Sequence, residues 1–219
     1  MDTNCHVRYV WKDGKWDAGE LVTSPYMPIH IAATALHYGQ AAFEGLKAFR
    51  RKDGKASLFR PEENAKRMQS TARRTCMAEV PTDMFVDACQ RVVKANLEYL
   101  PPYGTGGSMY VRPLLFGSGE QIGVAPADEY TFLVLVTPVG AYYKGGLQAV
   151  KAVVFDDYDR AAPQGTGHVK IVPDIQVGGD SGVLGGVGAL LMRNLAATGA
   201  ASGNGSGEDA DDRDAPVEV

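Results

Sequence analysis

Cysteine is scarce in this 219-residue chain and shows no pairing pattern. Cys5, Cys76 and Cys89 lie far apart, their number is odd, and no Cys-x-x-Cys pair exists. This favours a reducing compartment and no structural metal. Histidine is equally sparse: His6, His30, His37 and His168 show no ligand spacing. No apolar run approaches the ~20 residues needed to cross a bilayer. The opening Met-Asp-Thr-Asn-Cys-His has neither the basic nor the apolar region of a secretory signal. The expectation is therefore a soluble chain without a membrane, cytoplasmic by the absence of a visible address. Basic residues are not in excess, since net charge is −4 and the pI is near 5.6. No nucleic acid or other polyanion partner is implied. Asn204-Gly-Ser206 matches a glycosylation sequon, which such a chain would leave unused.

What is present is of ordinary globular composition, 45% hydrophobic and 22% charged, enough for one large domain or two small ones. Charge is unevenly placed. Residues 171–219 hold eight acidic and two basic residues, ten glycines and no aromatic residue. The body up to Lys170 is slightly basic by difference.

Local patterns give most of the elements. Val7–Trp11 and Trp16–Val22 flank Asp13-Gly14, and Leu46–Arg50 and Ala56–Phe59 flank Asp53-Gly54. Asp-Gly between apolar segments predicts a hairpin, because the turn needs positive φ. Two such devices predict a mainly antiparallel sheet. Pro61-Glu-Glu opens a helix whose buried stripe is Ala65, Met68, Ala72 and Cys76, with Arg67 at its margin. Thr82 is expected to cap a second helix. There Phe85, Ala88, Cys89, Val92, Val93, Asn96, Leu97 and Leu100 repeat at helical spacing. Ser108–Phe116 reads as a strand that Pro113 forces to an edge or a bulge. Arg112 within it is costly to bury unless it meets an anion. Tyr130–Val136, continuously apolar, reads as a central strand.

Two stretches carry candidate chemistry. Ala35–Leu46 is apolar yet holds polar groups and glycines, which suits a binding site or a core strand with a bend. Arg160-Ala-Ala-Pro-Gln-Gly-Thr-Gly-His-Val-Lys170 ends in a lysine after two glycines, with no acidic side chain. Glycine lets backbone approach a bound group closely, and a lysine amine becomes a nucleophile when desolvated or placed near other cations. Lys170 thus reads as a Schiff-base lysine beside a pocket, or as a solvated lysine closing a loop. Arg67 reads alternatively as a helix-surface partner of Glu63, four residues earlier.

Four separated pieces, Leu36-His-Tyr-Gly-Gln-Ala-Ala-Phe-Glu-Gly-Leu-Lys-Ala-Phe-Arg50, Leu58-Phe-Arg-Pro-Glu-Glu-Asn-Ala-Lys-Arg-Met68, Ser108-Met-Tyr-Val-Arg-Pro-Leu-Leu-Phe-Gly-Ser-Gly119 and the segment ending at Lys170, fit one family in order and spacing. From about residue 15 to Lys170 the chain resembles branched-chain amino acid aminotransferases, the class IV group that uses pyridoxal 5′-phosphate, in their plant and algal form. The resemblance implies roles. Lys170 matches the lysine that holds the cofactor as an internal aldimine and moves the proton between Cα and C4′. Arg67 matches the arginine that grips the cofactor phosphate. Tyr38 and Phe43 match the lining of the substrate side-chain pocket. Tyr110 and Arg112 match the pair that meets the substrate, the arginine taking the distal carboxylate of glutamate. The implied reaction moves the amino group of leucine, isoleucine or valine to 2-oxoglutarate, in a homodimer.

The chain departs from the family directly after Lys170. Ile171-Val-Pro-Asp replaces Gly-Asn-Tyr, and Gly178-Gly179-Asp180 is only a displaced echo. Residues 171–219 read as a tail not homologous to the enzyme, following a truncation or a splicing error. The expected fold class is α+β: an N-terminal small domain, 1–137, of antiparallel sheet and two helices; a linker, 138–147; an incomplete β-rich large domain, 148–195; and a disordered acidic tail, 196–219. Other readings stay open. One is an inactive truncated homologue or small-domain interaction protein. Another is a class IV enzyme acting on D-amino acids or lyasing aminodeoxychorismate, although the Tyr-Val-Arg-Pro-Leu and His-Tyr-Gly-Gln pieces favour the branched-chain group. The resemblance admits a plastid or mitochondrial location.

Overall fold

A computed structural model describes residues 3–123, 125–140, 149, 167–172 and 217–218. The expected linker beyond Gly140, most of the large domain expected over 148–195 and the glycine loop before Gly167 lie outside the described residues, as does most of the tail.

The described residues form one antiparallel sheet with the two long helices on one face. In chain order the strands are β1 (His6–Lys12), β2 (Lys15–Trp16), β3 (Glu20–Val22), β4 (Ala41–Phe43), β5 (Leu46–Arg50), β6 (Ala56–Leu58), β7 (Ser108–Gly117), β8 (Tyr130–Val139) and β9 (Val217–Glu218). The helices are α1 (Thr34–Tyr38), α2 (Pro61–Arg74) and α3 (Thr82–Ala95), the last followed by a 3-10 turn at Leu97–Tyr99. The sheet order is β2-β1-β8-β7-β5-β6-β9, with β3 beside β1 and β4 beside β7. The expected α+β class, with a mainly antiparallel sheet and two long helices, is what the chain adopts.

Both Asp-Gly hairpins form. Lys12 faces Lys15, leaving Asp13 and Gly14 as a two-residue turn with φ of 52° and 79°. This is the double positive φ that matches strand twist. At the second turn Gly54 takes φ 85°, and Arg51 N–H bonds the Lys55 carbonyl at 2.7 Å. Three local expectations shift. Thr82 is the first helical residue of α3 rather than its cap. Pro81 occupies the boundary with extended dihedrals, and the Thr82 hydroxyl instead accepts from Gln69 Nε2 at 3.2 Å. Cys76 lies past the end of α2 at φ 53°, half-buried, while Met77 N–H reaches back to the Ala72 carbonyl at 2.9 Å. Val217–Glu218, within the stretch expected to be disordered, pairs with Leu58 and Ser57 of β6 and covers its outer edge.

Pro113 is neither at an edge nor in a bulge. β7 pairs with β8 in unbroken register from Ser108↔Val139 to Gly117↔Tyr130. On its other side Phe43↔Leu114 and Leu46↔Val111 keep a single register, so Glu44 and Gly45 lie opposite Pro113 and Arg112. In an antiparallel ladder one residue's N–H and C=O point to the same neighbour. Glu44 N–H donates to the Pro113 carbonyl at 2.9 Å, so the missing proline N–H falls toward Glu44 and no β7–β8 bond is lost. A central strand therefore tolerates proline, and the pairing strand is interrupted at Glu44-Gly45 instead.

Alternation along the strands puts Ala42, Leu46, Met109, Val111, Phe132 and Val134 on the face covered by α2 and α3, packed against Met68, Phe85 and Val92. Most of these side chains are wholly excluded from solvent, and each such burial contributes about 1.5–3 kcal/mol before ordering costs. The opposite face carries a smaller cluster of Ala41, Phe116 and Leu133, joined by Leu114, Leu135 and Val172.

Candidate functional site

The site gathers at the end of β4. Residues 170–172 run antiparallel along its free edge: Phe43 N–H donates to the Lys170 carbonyl at 3.2 Å, Val172 N–H to the Ala41 carbonyl at 2.9 Å, and Ala42 pairs with Ile171. Lys170 N–H donates to Thr71 Oγ1 of α2 at 3.0 Å. A segment almost a hundred residues downstream in sequence is thereby fixed against both sheet and helix.

Four of the six residues singled out from sequence come together on the sheet face opposite the helices. Lys170 Nζ stands 4.2 Å from the centroid of the Phe43 ring. The Arg112 guanidinium carbon lies 4.3 Å from the same centroid and 5.2 Å from that of Tyr110. Arg112 Nε donates to Tyr110 Oη at 3.0 Å. Strand alternation explains the grouping, because Phe43, Tyr110 and Arg112 all point to one face. Gly45 completes it: a Cβ there would collide with the Tyr110 hydroxyl, so its absence lets the phenol lie across the strand. Two cations beside one aromatic ring form an electropositive, partly apolar surface suited to an anionic or mixed ligand.

Arg67 approaches the same strand end from the helix side. Its partner is Glu44, not Glu63, which instead meets Lys66 Nζ at 2.8 Å. Arg67 Nε and Nη2 donate to Glu44 Oε1 and Oε2, each at 2.6 Å, and Asn64 Nδ2 adds a third bond at 2.8 Å. Glu44 is wholly buried, whereas the Arg67 side chain is 49% exposed. It lines a cavity of about 400 Å3 with Phe59, Arg60, Glu63 and Asn64. A larger cavity, about 540 Å3, lies between Cys5, His6, Met27, Tyr99, Leu133 and Leu135, the last of which pairs with Arg112 across β7 and β8.

Tyr38 is committed elsewhere: its hydroxyl accepts from Gly123 N–H at 2.8 Å. Sequence reasoning missed Glu44, Asn64 and Thr71 as members of this assembly. A lone carboxylate inside the apolar run Ala41–Leu46 was a legible sign for Glu44, but nothing in sequence named its partner. Among the described residues no group of three or more histidine, cysteine or acidic side chains could hold a metal ion, and no helix is long and apolar enough to cross a membrane.

No family model matches the chain. A branched-chain-amino-acid aminotransferase of Haemophilus influenzae is 59% identical over 161 residues, 74% of this chain and 47% of that protein. One from Helicobacter pylori is 49% identical over 162 residues, again 74% of this chain and 48% of the other. The chloroplastic branched-chain-amino-acid aminotransferase 5 of Arabidopsis thaliana is 48% identical over 161 residues, 74% of this chain and 39% of the other. A solved branched-chain aminotransferase from Thermoproteus uzoniensis, crystallised with norvaline, is 23% identical, with a TM-score of 0.48 covering 63% of this chain and 43% of that one. The chain spans about half the length of the curated relatives it matches. Over about three quarters of its length, it is homologous to the branched-chain-amino-acid aminotransferases.

Proposed function

We propose that this chain carries the lysine-bearing part of a branched-chain amino acid aminotransferase, which moves the amino group of leucine, isoleucine or valine to 2-oxoglutarate with pyridoxal 5′-phosphate. The carrying observation is the 59% identity over 161 residues to a protein of that name. The clustering of Lys170, Phe43, Tyr110 and Arg112 at one strand end supports it.

The residues fit the cofactor in chemistry. Lys170 offers an amine to its aldehyde, at half-buried depth beside an aromatic ring. Arg67 offers a permanently charged fork to its phosphate, partly exposed on a cavity. When bound, pyridoxal phosphate supplies an electron-withdrawing ring that accommodates negative charge developing at the substrate α-carbon. Lys170 then takes and returns the proton at that carbon. Arg112, stacked between Phe43 and Tyr110, receives the distal carboxylate of glutamate. The Phe43 ring gives a branched aliphatic side chain its apolar surface; the resemblance adds Tyr38 to that lining, although its hydroxyl here meets Gly123 N–H. One pocket can take a carboxylate and an alkyl group in turn, because Arg112 and Phe43 share it.

The division into a small domain at 1–137, a linker at 138–147, an incomplete large domain at 148–195 and a tail at 196–219 belongs to the same reading. So does assembly as a homodimer, which rests on the resemblance alone. Chloroplastic and mitochondrial names among the relatives support an organelle as the compartment.

The test is trapping. The 219-residue chain is incubated with pyridoxal phosphate, reduced with borohydride and digested, and the modified peptide is identified by mass. A single phosphopyridoxyl group on Lys170, absent from Lys170→Ala, is expected. Label spread over surface lysines, or none at all, defeats the reading.

A further inference from the structure

We propose that Glu44 is a positioning residue: its buried carboxylate sets the Arg67 guanidinium at a fixed place relative to Lys170. This rests on the roles of Lys170 and Arg67 given above. Glu44 is 0% exposed, and a buried carboxylate is costly unless charge-paired and hydrogen-bonded. Here it accepts two bonds from Arg67 and one from Asn64, all between 2.6 and 2.8 Å. Two parallel bonds to one guanidinium fix its plane as well as its position. Arg67 rises from α2, and its side chain is half-exposed.

The carboxylate is itself held at a defined point. Glu44 N–H is bound to the Pro113 carbonyl at 2.9 Å, and the preceding Phe43 N–H to the Lys170 carbonyl at 3.2 Å. The Phe43 ring lies 4.2 Å from Lys170 Nζ. One dipeptide therefore touches the amine segment with its first residue and the guanidinium with its second. A second tie closes the loop: Thr71 Oγ1 accepts from Lys170 N–H at 3.0 Å and donates to the Arg67 carbonyl at 3.0 Å. The Lys170 backbone is thus tied both to α2, which bears Arg67, and to Phe43-Glu44, which holds the guanidinium. A ligand bearing an aldehyde at one end and a phosphate at the other needs that spacing held before it arrives.

Pyridoxal shares the aldehyde of pyridoxal phosphate and lacks the phosphate, so the two together isolate the Arg67 end. Lysine-dependent absorbance is titrated with each compound on wild type, Glu44→Gln and Arg67→Ala. Glu44→Gln is expected to weaken pyridoxal phosphate about tenfold while moving pyridoxal less than about twofold. In an Arg67→Ala background the same change should have no further effect. If Glu44→Gln does not fold, Glu44→Asp keeps the charge but shortens its reach, and should lower the phosphate preference while sparing pyridoxal. Equal loss for both compounds would show a merely structural ion pair and overturn the proposal. Unchanged or tighter binding of pyridoxal phosphate would overturn it too, since the carboxylate would then only restrain the arginine's charge. Wild type showing no Lys170-dependent absorbance with either compound defeats the functional reading itself. Wild type binding both, with the ratio unmoved by Glu44→Gln, defeats this inference alone.

Discussion

Gly19 sits at φ 67°, where a Cβ would fall inside the Tyr9 ring. That ring cannot swing away cheaply: its hydroxyl accepts from Arg91 Nη1 at 2.7 Å and donates to Asp87 Oδ2 at 3.3 Å. Gly19→Ala therefore combines backbone strain with a side-chain collision and should cost at least about 2 kcal/mol, read as a lowered urea midpoint at unchanged slope. Single residues were legible in sequence when their chemistry is local. Asp13-Gly14 announced a turn because positive φ is a property of the dipeptide itself. Gly19 and Gly45 announced nothing, because what excludes a side chain at each is an aromatic ring from a distant strand position. Glu44 was half legible: a carboxylate in an apolar run must find a cation, but only the fold shows that Arg67 supplies it in preference to pairing along its own helix.

At the scale of elements, α3 shows how a repeat hides a function. Asn96 falls on the apolar stripe by spacing and is fully buried. Its amide accepts from Asn4 N–H at 2.7 Å and donates to the carbonyls of Cys5 and Val92 at 3.0 and 2.8 Å. It therefore stitches the start of β1 to the end of α3. Asn96→Ala strands buried backbone groups of both elements and should destabilise by about 2–3 kcal/mol, with faster amide exchange at Asn4. The period identified the helix and its buried side, but could not reveal that one polar member of the stripe is a fastener. Pro113 teaches the converse. Its presence suggested an edge or a bulge, yet its hydrogen-less nitrogen faces Glu44-Gly45, where the neighbouring strand is already broken, and that depends on register, which no local pattern records.

For the molecule as a whole, alkaline pH tests how tightly the sheet and helices close on their phenols. Burial raises the Tyr130 hydroxyl from 10.0 to about 12, and burial also raises Tyr9. Each folded value lies above the unfolded one, so the unfolded chain releases protons first. The phenols' contribution should hold up to about pH 10 and then fall as pH rises toward 12, and the buried Cys89 thiol, raised from 9.0 by burial, should begin the decline about a unit earlier. Tyr130→Phe should flatten part of that decline in urea titrations taken across the range. The sheet and both long helices were predictable from periodicity and turn chemistry. The strand order and the docking of residues 170–172 on β4 were not, because each joins parts of the chain that carry no mark of one another.

That last docking sets an order of events during synthesis. The hairpins, α2, α3 and the long central strands all leave the ribosome before residue 170 does. Lys170 is synthesised after all of them and docks on strand and helix that precede it in the chain. A ribosome stalled before that point would carry a chain with β4, β7 and α2 but without the lysine proposed to react.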